Sequence, residues 1–290
     1  MKKIGFVGLG NMGAKMVINL LKAKYEVFGY DVNTKSIDKL LPHGLKSVST
    51  LNKIPRDIDV LITMLPNGKI VEEVYDSIGN DFKPNMLFAD CSTINVSKSI
   101  QLHEKCKKRN ILSLDAPVSG GVVGAEKGTL TFMVGGTAEA YNVMLPLFKV
   151  MGNKSVLCGL ASSGQAAKAC NNMLLAITMI GVGEAFNLGS KLGLDTQNLF
   201  EILSTSSGSC WAINTYCPIQ NVGPNSPADN NFQPGFSANL MLKDLTIAVD
   251  AIKSTRSLAS FGEKAQERFQ SMIDRGKGDL DFSAIINLDD

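Results

Sequence analysis

Ten residues near the start restrict the fold of this chain more than any others: IGFVGLGNMG, Ile4 to Gly13. Ile4 to Val7 is a short apolar run suited to a buried parallel strand. Gly8-Leu9-Gly10-Asn11-Met12-Gly13 follows without a gap, and Ala14 to Lys22 then carries Met16, Val17, Leu20 and Leu21 at helical spacing. The glycines therefore fall at a strand-to-helix turn. Glu26 to Tyr30 reads as a second strand, and it ends in Asp31.

Each part of this arrangement has a physical use. Gly8 allows the tight bend, Gly10 lets backbone N–H groups reach a pyrophosphate, and Gly13 lets the helix pack closely on the strand. The helix N-terminus faces the phosphate charge. Asp31, 18 residues beyond Gly13, can accept hydrogen bonds from an adenosine ribose. A dinucleotide-binding Rossmann domain is predicted, with Gly8, Leu9, Gly10, Asn11, Met12, Gly13 and Asp31 at the cofactor. A carboxylate at position 31 repels a 2′-phosphate, which favours NAD over NADP, and Lys35 lies near enough to soften that preference.

Further apolar runs end in small or polar residues: Asp59 to Pro66, Met86 to Thr93, Ile111 to Gly121 and Leu130 to Gly136. Alternation with helical stretches predicts an open parallel sheet, in which ligands bind at the carboxyl ends of the strands. Leu65, Pro66, Thr93 and the Ser119-Gly120-Gly121 turn are expected to line one crevice there. That turn offers a hydroxyl and closely approachable N–H groups, so it is read either as a carboxylate seat or as a plain turn before the next helix.

From about Gly164 the pattern changes, and GQAAKACNNMLLAITMIGVGEAFNLGSKLG contains no proline. One long helix ending near Gly193 is predicted, opening an all-α domain over 164–290 after a Rossmann domain over 1–163. Gly181, Gly183, Ala185 and Gly189 suit a face against which another helix packs tightly. Lys168 and Asn172 are four apart and share a face, Asn171 points elsewhere, and Cys170 reads as a buried filler. A second helix over Leu194–Ser204 would be capped by Asp195 or Thr196. The proline-rich stretch Thr215–Phe236 reads as a wall or lid over a site. A later helix carries Leu240, Ile247 and Ala248 as an apolar stripe, interrupted by Lys243 and Asp244, a pair whose default reading is two boundary charges.

The net charge of +2 leaves no footprint for nucleic acid or an anionic membrane. The densest basic run, Lys105 to Arg109, reads as the solvated end of a helix. Six cysteines without a C-x-x-C pair, and two histidines remote from them, predict no metal site and reduced thiols. The apolar run Met173–Gly183 is too short to span a bilayer, and MKK runs directly into the first strand. The expectation is an intracellular soluble protein, in a bacterial cytoplasm or in a mitochondrial matrix after loss of a transit peptide.

GLGNMG, Met64-Leu65-Pro66, DAPVSGG, GTLTFMVGG, GQAAKACNN and LMLKDL occur here in the order typical of β-hydroxyacid dehydrogenases. The chain resembles that family over essentially its whole length. SSGSCW (Ser206–Trp211), NNFQPGF (Asn230–Phe236) and DFSAI (Asp281–Ile285) look closest to the valine-catabolic branch acting on 3-hydroxyisobutyrate. The resemblance implies a Rossmann domain plus an all-helical domain, a small 3-hydroxy acid as substrate, NAD as cofactor and a homodimer or homotetramer. It implies Lys168 as the catalytic general acid/base, and Asn172, Ser119, Gly120 and Gly121 as substrate-binding residues. Lys243 would contact the cofactor and Thr93 would lie near the nicotinamide. Ser209 departs from the pattern, since animal members are expected to carry a basic residue there, which bears on fine substrate preference. Alternatives are a tartronate-semialdehyde or glyoxylate/succinic-semialdehyde reductase with the same machinery, or a non-catalytic nucleotide-binding module. The 6-phosphogluconate branch fits less well, being usually much longer. Neither His43, in an apparent loop, nor His103, on a charged helix, suits the His–Asp proton relay of lactate-type enzymes.

Overall fold

Tyr30, Val7, Thr63, Asp90 and Asp115 are register partners in turn, so the last residues of five parallel strands form one row. This row is the edge on which the candidate site is built. A computed structural model describes residues 2–78, 82–83 and 85–288. The chain divides into two compact units, Met1–Lys168 and Ala169–Asp290.

The first unit opens with β1 (Lys3–Val7), α1 (Asn11–Lys22), β2 (Glu26–Tyr30), α2 (Thr34–Asp38), β3 (Lys46–Ser47), β4 (Val60–Thr63) and α3 (Gly68–Ser77). It continues through β5 (Leu87–Asp90), α4 (Val96–Lys108), β6 (Leu112–Asp115), β7 (Val118–Ser119) and α5 (Gly121–Lys127). β8 (Leu130–Gly136), α6 (Ala138–Met151), β9 (Gly152–Gly159) and the start of α7 (Ser163–Lys191) complete it. The sheet runs β3-β2-β1-β4-β5-β6-β8-β7, with β9 on β8. Alternate residues of its strands face opposite sides. Ile4, Phe6, Ile62 and Ala89 pack with Met16, Val17, Leu20 and Phe148 of α1 and α6. Val7, Leu61 and Phe88 pack with Val71, Tyr75, Leu102 and Cys106 of α3 and α4. Burial on both faces explains why these strands read as continuous apolar runs.

The sheet is mixed rather than wholly parallel, because β8 runs antiparallel to β6 and β7. The run Ile111–Gly121 also divides into β6 and β7 at Ala116-Pro117, where Pro117 offers no N–H to a ladder. The basic run closing α4 is only partly solvated. Lys105 pairs with Glu72 and Asp76, and Arg109 lies over the Tyr75 ring.

The boundary expected at 163/164 coincides with the start of α7, while the two units meet within that helix, after Lys168. The second unit holds the rest of α7, then α8 (Thr196–Thr205), α9 (Trp211–Asn214), α10 (Ala238–Thr255) and α11 (Ser260–Asp274). Asp195 caps α8 by accepting from Asn198 N–H at 2.9 Å. A Cβ on Gly189 would lie 2.4 Å from Leu199, so that glycine lets α8 pack closely, whereas Gly181 faces open space. On α10 Ala238, Met241, Asp244, Leu245, Ile247, Ala248, Val249 and Ile252 are buried, so Ile247 and Ala248 face the interior as expected and Leu240 does not.

At 29 residues, α7 is long and apolar enough to match a membrane span by length and composition. Its small residues carry the helix well past the apolar run seen in the sequence. Ala176, Met179, Val182 and Phe186 nevertheless lie in the core of the second unit. Gln165, Lys168 and Asn172 are buried polar residues at the same helical spacing, the pattern of a core helix rather than of a lipid-facing one.

Candidate active site

Gly8 leaves β1 at φ +97°, a conformation costly for any side chain. A Cβ there would lie 2.2 Å from the Met64 carbonyl, and one on Gly13 would lie 1.9 Å from the Gly8 carbonyl. These two glycines hold strand, turn and helix together. Gly10 differs: a Cβ on it would meet nothing within 4 Å. Gly10 is also the N-cap of α1, where no side chain satisfies the leading N–H groups. An open approach to unsatisfied donors at a helix N-terminus fits a pyrophosphate. Asp31 sits beside this turn, accepting Leu9 N–H at 2.6 Å and Asn33 N–H at 2.7 Å. These two bonds leave its carboxylate with acceptor capacity for a ribose. Leu9 itself is buried in the core and Asn11 is exposed. Residues and geometry together fit a dinucleotide.

The neighbouring strand ends bring in the other expected residues. Leu65 follows β4, its N–H bound by the Ser92 hydroxyl at 2.8 Å. Exposed Pro66 comes next, and partly buried Thr93 follows β5. Ser119 ends β7, and Gly120 and Gly121 follow at φ +124° and +61°, the left-handed turn that two successive glycines permit. This turn precedes α5 and is solvent-accessible.

Lys168, on α7, is only 8% exposed. The start of α7 is held by groups that sequence reading passed over. The Asp115 carboxylate accepts Ser162 N–H at 2.7 Å and Gln165 N–H at 2.8 Å. Gln165 donates to the Ser92 carbonyl at 2.7 Å and accepts from Ile94 N–H at 3.1 Å, tying the helix to the loop that carries Thr93. Asp90, the register neighbour of Asp115, accepts from Thr63 Oγ1 at 2.8 Å and from Ser92 N–H. Burial pushes its carboxyl up to about 6, against the lowering effect of those donors.

His103 is not a solvated residue of a charged helix. Its ring lies between Ser113 Oγ at 2.7 Å and Asp115 at 2.9 Å. Ser99, Leu102 and Cys106 form the buried face of α4, and position 103 borders it, a spacing from which the sequence already signals burial. With both ring nitrogens engaged, His103 has none left for a substrate.

In the second unit, Asn172 is 1% exposed and donates to the Asp244 carboxylate, while accepting from Asn171 at 2.9 Å. Asn171 therefore points toward its neighbour. Asp244 also pairs with Lys243 at 3.2 Å. Asp244 is no boundary charge: at 3% exposure it joins the two residues that the family pattern marks. Cys170 is exposed rather than a buried filler. Ser209 accepts from Asn214 at 2.9 Å on the surface. The proline-rich stretch is pinned rather than loose. Buried Asp281 accepts Tyr216 Oη and the N–H groups of Gly235 and Phe236, and Ser226 with Asp229 forms a capping box. Among the described residues no cluster of His, Cys, Asp or Glu is arranged to hold a metal.

This strand-edge turn, with a mostly parallel sheet and a following helical unit, is the arrangement of a dinucleotide-binding protein. Residues 3–159 match the NAD binding domain of 6-phosphogluconate dehydrogenase, and residues 162–288 match the NAD-binding domain of NADP-dependent 3-hydroxyisobutyrate dehydrogenase. The mitochondrial 3-hydroxyisobutyrate dehydrogenase of Drosophila melanogaster is 43% identical over 288 residues, covering 99% of this chain and 89% of that one. The NAD-dependent L-serine dehydrogenase of Pseudomonas aeruginosa is 41% identical over 293 residues, covering 100% and 98%. A structure of the Mycobacterium tuberculosis 3-hydroxyisobutyrate dehydrogenase with L-serine superposes with a TM-score of 0.95 at 42% identity, covering 99% and 98%. The chain belongs to the 3-hydroxyisobutyrate dehydrogenase family.

Proposed function

We propose that this protein oxidises (S)-3-hydroxyisobutyrate to methylmalonate semialdehyde with NAD, a step of valine catabolism. The observation that carries the mechanism is Lys168, buried to 8% exposure on α7, four residues before Asn172 on the same helix. When bound, NAD supplies the hydride acceptor. The Gly8–Gly13 turn and Asp31 would hold its pyrophosphate and adenosine ribose, and Leu65, Pro66, Thr93 and Lys243 are the further residues that would contact it. Ser119, Gly120 and Gly121 seat the substrate carboxylate. The substrate hydroxyl hydrogen-bonds to Lys168 Nζ, which takes its proton as the C–H bond breaks and returns it in the reverse reaction. A lysine does this only if it spends part of its time neutral. Asn172, braced by Asp244, orients the substrate.

L-Serine is the second reading, favoured by the 41% identity to an L-serine dehydrogenase. Both acids place a primary hydroxyl two carbons from the carboxylate carbon, so one seat and one lysine serve either. NADH formation at mildly alkaline pH with (S)-3-hydroxyisobutyrate, L-serine, glycerate and 4-hydroxybutyrate, each with NAD and NADP, separates the readings. The expected result is selective turnover of 3-hydroxyisobutyrate with NAD. Preference for L-serine moves the substrate to the second reading, and preference for NADP removes the role given to Asp31.

The working form is proposed to be a homodimer or homotetramer. Leu174 and Leu188 on α7, and Leu192 just beyond its end, are each at least 59% exposed, an apolar surface suited to a second copy. Light scattering that gave a monomer at micromolar concentration would remove this proposal. The compartment follows the source, a bacterial cytoplasm or a mitochondrial matrix, as with the bacterial and mitochondrial relatives.

A further inference from the structure

Asp115 lies three residues before Val118 and four before Ser119, and its side chain grips the start of the helix that carries Lys168. The link to Ser119 is short and stiff. Ala116 N–H is bound by the Asp90 carbonyl at 2.7 Å, the Pro117 carbonyl accepts Met133 N–H at 3.0 Å, and Pro117 has a fixed φ. Ser119 is then paired with Thr131 of β8. The link to Lys168 is equally direct. The carboxylate takes the N–H groups of Ser162 and Gln165, and Lys168 follows one helical turn after Gln165. First-turn N–H groups of a helix have no partner within it, so a carboxylate supplied by another element both satisfies them and fixes where the helix begins.

Two glycines clear the space for this grip. A Cβ on Gly164 would lie 2.8 Å from Asp115 Oδ2 and 2.3 Å from the Met133 carbonyl. One on Gly135 would lie 2.4 Å from Asp115 Oδ1 and 2.6 Å from Ser163 N. His103 completes the arrangement by occupying Asp115 from the side of α4 at 2.9 Å. The carboxylate is 2% exposed, and among the described residues it is held by the Ser162 and Gln165 N–H groups and the His103 ring, all of this same unit.

We propose that Asp115 is a positioning residue: it fixes the spacing between the Ser119-Gly120-Gly121 carboxylate seat and Lys168, so that a seated 3-hydroxy acid presents its hydroxyl to the lysine. The proposal rests on the acid/base reading of Lys168 given above. Asp115 touches neither substrate nor cofactor and acts only through the two elements it joins.

The test uses the full-length protein with Asp115→Asn. This variant keeps the size of the side chain but turns one acceptor into a donor that faces other donors. NADH binding, followed by fluorescence, counts folded sites. Turnover of 3-hydroxyisobutyrate per titrated site is expected to fall about 10- to 100-fold, the scale of a misplacement near 1 Å, with the NADH Kd changed less than about twofold. Full turnover per titrated site would overturn the proposal, since a purely structural role lowers the number of sites and not their rate. If Asp115→Asn does not fold, His103→Gln leaves both backbone donors on the carboxylate. A loss of about 3- to 10-fold per site is then expected, and an unchanged rate overturns the proposal. Lys168→Ala is assayed alongside. Near-wild-type turnover there would sink the acid/base reading itself, whereas an inactive Lys168→Ala beside a fully active Asp115→Asn sinks the positioning role alone.

Discussion

Asp90 shows what a single residue at a strand end contributes and costs. One carboxylate oxygen is bound by Thr63 and Ser92, while the other has no hydrogen-bond partner among the described residues. Burial raises its carboxyl to about 6 from the ordinary 3.8. Between those values the folded state binds the proton that the unfolded chain has released, so stability falls as pH rises through this window. The shift corresponds to about 3 kcal/mol of stability lost by pH 7. Asp90→Asn removes that term. Urea unfolding at several pH values from about 4 to 7 should show the variant gaining on wild type as pH rises, by up to about 3 kcal/mol. Parallel curves for the two proteins would contradict it. Lys168 was visible at this scale as a lone charge among small residues. Asp90, Asp115 and Asp244 were not, because each binds partners far away in sequence: Thr63, Ser162 and Asn172. In the sequence Asp90 and Asp115 appear as acids closing the runs LFAD and LSLD, Asp115 also opening DAPVSGG, and Asp244 appears in the KD pair, none with a sign of these partners.

At the scale of elements, the strand–turn–helix beginning at Ile4 was fully legible, since Gly13 answers a steric demand from Gly8, Gly8 one from Met64, and Gly10 leaves an open approach. The three glycines separate cleanly in consequence. Gly13→Ala forces a Cβ to 1.9 Å from the Gly8 carbonyl, and it is expected to cost several kcal/mol, on the order of the largest single-site losses. Gly10→Ala meets no atom within 4 Å. It should keep the wild-type Tm to within about 2 °C while weakening NADH binding at least about tenfold, because its methyl group occupies the approach to the α1 N–H groups. Thermal melts and NADH titrations of both variants check this. A Gly10→Ala protein that binds NADH as tightly as wild type would remove the pyrophosphate from that turn. The split of β6 from β7 and the antiparallel course of β8 were less legible. Strand direction depends on the connection each strand makes, and alternation within a run carries no sign of it. The length and prolines of Thr215–Phe236 suggested a wall or lid. The contact that holds it comes from Asp281, some 45 residues further on, inside the DFSAI segment that family resemblance had marked.

At the scale of the whole molecule, α7 is the element that both units share. Its first turn ends the sheet unit with Lys168, and its remainder opens the helical unit with Asn172. The order of motifs along the chain, from glycine turn to Ser119-Gly120-Gly121 turn, lysine and KD pair, thus maps onto two compact units and one continuous helix. The 41–43% identity to relatives over nearly their full lengths places the chain in one family. In the proposed mechanism, conversion of substrate depends on one proton carrier, Lys168, near the head of that helix. The most direct test compares wild type with Lys168→Ala in NADH formation from (S)-3-hydroxyisobutyrate, after confirming by fluorescence that both bind NADH. The account predicts NADH binding within about twofold of wild type and turnover lower by at least about a hundredfold, the scale of general acid/base catalysis. Turnover near the wild-type rate would contradict it and remove Lys168 from the chemistry.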